Sequence, residues 1–164
     1  MPTKATAAAF DVSQALLNAF ATHDRINTYL IENLSDEAWS TKPPNGKGRT
    51  IAAIVGHMHN VRLMWLKASG YAGEMPEKLE EDNFSRKDAT KALAASCKAM
   101  NDLLSQALAS DGRIKGFKPD VASFFGYLVA HDAHHRGQIA MLARQLQLPL
   151  SKSVGFGMWE WGTR

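Results

Sequence analysis

A single cysteine among 164 residues excludes an internal disulfide framework. Cys97 shares a predicted helix face with Leu93, Met100 and Leu104, so it reads as core rather than nucleophile, and a reducing cytoplasm suits such a chain. No apolar stretch approaches the roughly 18 residues of a membrane span, and the first ten residues carry neither a long apolar run nor a convincing cleavage pattern. The expectation is a soluble, unexported, cytoplasmic protein with no membrane partner. Charge of one sign is nowhere concentrated: the net +3 comes from scattered Lys and Arg, without the basic stripe that nucleic-acid binding needs. Sustained period-two alternation is missing, which argues against sheet, and there is no internal repeat. At 45% hydrophobic and 21% charged, the composition is that of one ordinary globular domain, residues 1–164, large enough to bury a core.

What remains is helical periodicity. Asp11 with Gln14 is a plausible start for a first helix running to about Leu34, and Ser35 to Trp39 adds a further turn whose tryptophan anchors the Pro43-Pro44 loop. Thr50 caps a second helix that Gly70 stops, and a polar connection follows to Phe84. Ser85 with Asp88 resembles a capping box opening a third helix to about Leu108, whose apolar stripe reads as scaffold. Pro119-Asp120 opens a fourth helix, which Pro149 should end just after Leu148. Four long amphipathic helices predict an all-α fold, an antiparallel four-helix bundle. The tail, 151–164, holds Phe156, Trp159 and Trp161 among glycines, so it should fold back on the bundle; it either plugs an open end or places a tryptophan on a functional cleft.

The fourth helix carries His131, His134 and His135. His131 and His135 lie about 40° apart on one helix face, close enough to hold one ion. Phe124, Leu128, Ile139 and Leu142 share that face, so both imidazoles belong to the core-facing stripe. On the second helix His57 and His59 are about 200° apart, so only one points inward; the apolar company of Ile54, Met58, Val61 and Trp65 selects His57. Facing helices in a bundle approach within about 10 Å, so His57 can meet His131 and His135. Three imidazoles without a fourth protein ligand form the donor set of a catalytic metal site with open positions; the same residues also read as hydrogen-bonded core histidines.

His131-Asp-Ala-His-His135-Arg136-Gly137-Gln138 resembles the signature of the DinB-like (damage-inducible protein B-like) superfamily, also called the YfiT-like metal-dependent hydrolases. Thr50-Ile51 through His57, with Trp65 eight residues on, is similar to its second-helix motif, and Gly157-Met-Trp-Glu-Trp161 to an ending seen in some members. The resemblance implies a four-helix bundle, usually a homodimer, with a divalent metal on residues matching His57, His131 and His135. It also implies the activities found among its members, which include transferases and isomerases using a low-molecular-weight thiol. The expectation is a metal-dependent transferase or hydrolase acting on a small-molecule substrate; the alternative is a non-catalytic metal- or ligand-binding protein. Imidazole suits zinc, nickel, copper and iron alike; Zn²⁺ is taken first and Ni²⁺ next. Gln138, one turn beyond His135, could orient a ligand, and His134 could flank the site. Arg62, Tyr127 and Trp65 are candidate substrate contacts by location. Asp132 is too far round the helix to ligate with His131 but can pair with a neighbouring helix; Arg136 reads as a salt-bridge or capping residue, Gly137 as an aid to close packing, and His23 as a surface or core histidine.

Overall fold

In a computed structural model, residues 9–80 and 83–164 are described, and every element among them is a helix: α1 (Val12–Glu32), α2 (Asp36–Ser40), α3 (Ile51–Ser69), α4 (Arg86–Leu108), α5 (Val121–Gln145) and α6 (Lys152–Gly157). Most of the first ten residues fall outside the described ones. Each long helix starts where a side-chain oxygen satisfies a free N–H of the first turn. Asp11 accepts from Gln14 N, Thr50 from Ala53 N, and Asp120 from Ser123 N, while Ser85 and Asp88 close a reciprocal capping box. Gly70, left-handed at φ 74°, ends α3. The fourth long helix stops three residues before the expected Leu148: Gln147 turns left-handed at φ 62° and Leu148 N–H bonds back to Ala143 O, so the backbone closes the helix before Pro149 is reached.

The long helices pack as a ring in which α4 and α5 each lie against both α1 and α3. Two apolar clusters fill it. One gathers Leu30, Ile31, Ile54, Met58, Leu93 and Ile139; the other gathers Phe20, Leu66, Met100, Leu104, Phe124 and Leu128. Following each helix from cluster to cluster shows α1 antiparallel to α4 and α3 antiparallel to α5, whereas α3 and α4 run in the same sense. Residues 71–80 return along α3, where Asn60 exchanges bonds with Leu79 and the His59 ring bonds Glu77 O. Trp39 is buried under Phe84, to whose carbonyl its indole N–H donates, so it anchors its loop to the far end of the α3–α4 connection.

Between the clusters lies a buried polar layer of His23, Asp24, Asn27, His59, Arg62, Ser96, Asp132 and His135. It corrects two expectations. His59 is the fully buried histidine of α3 and His57 the half-buried one, because α3 is covered on both sides, by α4 and the returning connection as well as by α5. Nor is the α4 stripe free of polar interruption, since Ser96 meets both His59 and Arg62.

The tail folds back on α1, though not as its aromatics suggested. Val154 is buried, Arg164 stacks 3.7 Å from the Tyr29 ring centroid, and Arg25 donates to Arg164 O. Phe156 on α6 and Trp159 just beyond it stay 72% and 78% exposed. Gly137 also differs from expectation: a Cβ there would touch nothing within 4 Å, so it is not a close-packing glycine.

Candidate metal centre

Helix periodicity stacks His131 and His135 one turn apart on α5, and antiparallel packing brings His57 of α3 over them. One ring nitrogen from each of the three lies within 4.8 Å of the others, the spacing of ligands around a single ion. Ring centroids are 4.5 to 5.4 Å apart. His135 is buried while His57 and His131 are half-buried, so the cluster is walled by the bundle yet open on one side.

The hydrogen bonds behind the rings decide which nitrogens face the centre. His135 Nδ1–H donates to Gln138 Oε1 at 2.7 Å, and His131 Nδ1–H to Asp132 Oδ1 at 3.4 Å, which leaves both Nε2 lone pairs directed inward. These Nε2 atoms are 3.2 Å apart. At that distance the two nitrogens can share a proton as a hydrogen bond or turn their lone pairs toward one cation. Burial lowers the His57 pKa to about 4, aided by the Arg49 charge and by the other two imidazoles. Burial lowers that of His135 as well. Both are neutral at pH 7, the form that coordinates a metal.

Asp132 connects this cluster to the polar layer. Its Oδ2 accepts from Arg62 Nη2 (2.7 Å), Asn27 Nδ2 (2.9 Å) and His23 Nε2 (3.2 Å), while Oδ1 faces His131. Burial pushes its pKa up, but the Arg62 guanidinium and the His131 and His23 bonds prevail and hold it well below the usual carboxylate range. Arg62 is completed by Asp24 Oδ1 at 2.7 Å and Leu93 O at 3.2 Å, and the two carboxylates keep it charged despite burial. Its side chain is 1% exposed and spans the interior, so the expectation of a substrate contact at Arg62 is corrected: it ties α1, α3 and α5 together.

The other expected residues separate. Gln138 is hydrogen-bonded to His135; Tyr127 lies beside His131 with centroids 5.9 Å apart; His134 is exposed, its ring edge-on to that of His135. Trp65 sits one layer away, edge-on to Phe117, Phe124 and Tyr127, and its buried indole N–H meets no hydrogen-bond partner among the described residues. His23 is fully buried against Asp132, and Arg136 donates to Asn27 Oδ1 at 2.6 Å. Cys97 is buried with its thiol pKa pushed up to about 12 by burial, which fits core and not nucleophile. Sequence reasoning passed over Asp24, Asn27 and Ser96, though each interrupts an otherwise apolar helical stripe, which is the signal that could have found them.

A depression of about 550 Å³ opens beside the cluster, walled by the 43–49 loop on one side and by Gln138, Met141 and Leu142 of α5 on the other. No tail residue lines it. Among the described residues no helix is long and apolar enough to cross a membrane.

Comparison with known proteins gives one match: the model of the DinB family covers residues 1–148, which include all four long helices. No curated protein and no solved structure matches the chain.

Proposed function

The chain belongs to the DinB family, and on that premise we propose that it is a metal-dependent enzyme, a transferase or hydrolase acting on a small molecule at His57, His131 and His135. The observation that carries the reading is one ring nitrogen from each of His57, His131 and His135 within 4.8 Å of the others, with the Nδ1 atoms of His135 and His131 turned to Gln138 and Asp132. Three imidazoles with an open side can hold a divalent ion, Zn²⁺ first and Ni²⁺ next among those to try, and leave room for substrate. A divalent ion held there supplies Lewis acidity toward a thiol, a water or a carbonyl.

The chain's own residues do the rest. Gln138 and Asp132 fix the tautomers, Arg62 and Asn27 hold Asp132, and Tyr127 walls the cluster beside His131. Low-molecular-weight thiols are the first co-substrates to screen, and a homodimer is the assembly to look for.

Reconstitution with Zn²⁺ or Ni²⁺, read by elemental analysis and thermal melting, tests the reading. One equivalent per chain is expected, with stabilisation of about 2.7 kcal/mol when free metal is a hundredfold above Kd. His57→Ala, His131→Ala and His135→Ala should each lose most of the affinity, and His134→Ala should keep it. Well under one equivalent with no stabilisation overturns the metal assignment. The metal-loaded protein is then assayed against a panel of thiols with electrophiles and of hydrolysable esters and amides; turnover that all three alanine variants abolish supports an enzyme, whereas inactivity across the panel with intact metal binding favours a binding protein.

A further inference from the structure

We propose that the depression beside the histidines is a subsite for an anionic group, carboxylate or phosphate, held by Arg49 and Lys47, so that the substrate is a small anion with its reacting end at the three histidines. Only the placement of the reacting end rests on the function proposed above; the subsite stands on its own geometry.

The depression and the histidine cluster share a wall. Gln138 lines the one and accepts from His135 in the other. The charged side chains in the lining are Lys47 and Arg49, with no carboxylate among the lining residues. Neither side chain makes a hydrogen bond or ion pair among the described residues, in contrast to Arg62, Arg86, Arg136 and Arg164, which are all engaged. Arg49 is nonetheless close enough for its charge to act on the His57 ring.

The loop that presents them is held in shape. Gly46 N–H bonds Pro43 O at 2.8 Å, Asn45 Oδ1 accepts from Lys47 N–H at 3.0 Å, and Gly46 and Gly48 take the left-handed φ values of 67° and 96° that such a turn requires. A guanidinium and an ammonium without a carboxylate, at the mouth of a cavity whose other wall carries Met141 and Leu142, suit a small molecule that is anionic at one end.

Two titrations test this. In the first, metal-free protein is titrated with glutarate, inorganic phosphate and neutral glutaramide while amide NMR shifts are followed at residues 45–49 and Gln138. Glutarate or phosphate should bind about tenfold more tightly than glutaramide, the effect of one charge-assisted hydrogen bond pair, and Arg49→Gln with Lys47→Gln should remove the preference without changing the melting temperature. Whichever of glutarate and phosphate binds tighter identifies the anion. In the second, zinc-loaded protein is titrated with succinic monohydroxamate and butyrohydroxamate, which differ in the terminal carboxylate. The double variant should lose the preference for the succinyl probe and keep its affinity for the neutral one. Equal binding of glutarate, phosphate and glutaramide, or a preference that survives the double variant, overturns the subsite. Failure to load zinc while the anion preference and its loss in the variant persist overturns the metal reading alone.

Discussion

Replacing Asp132 by Asn separates the two duties of that residue. In the native protein Oδ2 accepts from Arg62, Asn27 and His23, and Oδ1 accepts from His131. An amide offers one oxygen and one NH₂, so it cannot accept on both sides. Three donors outweigh one, and the amide oxygen should turn toward Arg62, Asn27 and His23. The NH₂ then faces His131 Nδ1, which must become an acceptor, moving the ring proton to Nε2 and removing that nitrogen from the ligand set. Removing one member of a buried ion pair costs about 3–5 kcal/mol. Arg62 retains Asp24 and Leu93 O, which places Asp132→Asn near the low end, about 3 kcal/mol, or a fall in Tm of about 6–12 °C for a chain of this size. Metal affinity should fall about 10–100-fold for the folded molecule, the usual effect of losing a group that orients a ligand. Urea unfolding gives the first number and competition with a zinc chelator the second, while ¹⁵N chemical shifts of the His131 ring report the tautomer. Unchanged metal affinity, or lost affinity with His131 still protonated at Nδ1, would refute the tautomer argument.

His59→Ala removes a fully buried ring bonded to Ser96 and to Glu77 O, so it should destabilise by about 2–4 kcal/mol yet leave metal affinity per folded molecule unchanged, as read by melting and by zinc competition. Loss of binding there would put the ligand on the wrong face of α3. The pH dependence follows from histidines whose folded pKa lies below the ordinary 6.5, mainly through burial: His57 at about 4, with His23, His59 and His135 also lowered. Below 6.5 the unfolded chain takes up protons that the folded chain does not, so stability that is complete above that value is lost as pH falls toward about 4. Urea midpoints of metal-free protein at pH 7.5, 6 and 5 should decline in that order, and a flat series would contradict the burial of these rings.

The chain's local chemistry determined the helices and the histidine pair on α5. Capping oxygens at Asp11, Thr50, Ser85 and Asp120, the glycine after α3, and apolar spacing are all written within a few residues of where they act. The four-residue spacing of His131 and His135 fixes their common face whatever surrounds the helix. The choice of His57 over His59 rested on the stripe, and the stripe alone could not tell which side of α3 is more deeply covered. A helix packed on two sides has apolar residues nearly all round, so its pattern no longer distinguishes the closed side from the side left open as a cleft. The return of residues 71–80 along α3 lay beyond local chemistry, because their hold on His59 and Asn60 is made across 18 or 19 residues. Asp132 was legible as a charge off the ligand face but not as the centre of a network, because its partners stand 70 to 109 residues away on two other helices. The exposure of Phe156 and Trp159 was likewise tertiary: a hydrophobic side chain states a preference for burial, and only the orientation of α6 against α1 decides whether any surface is within its reach.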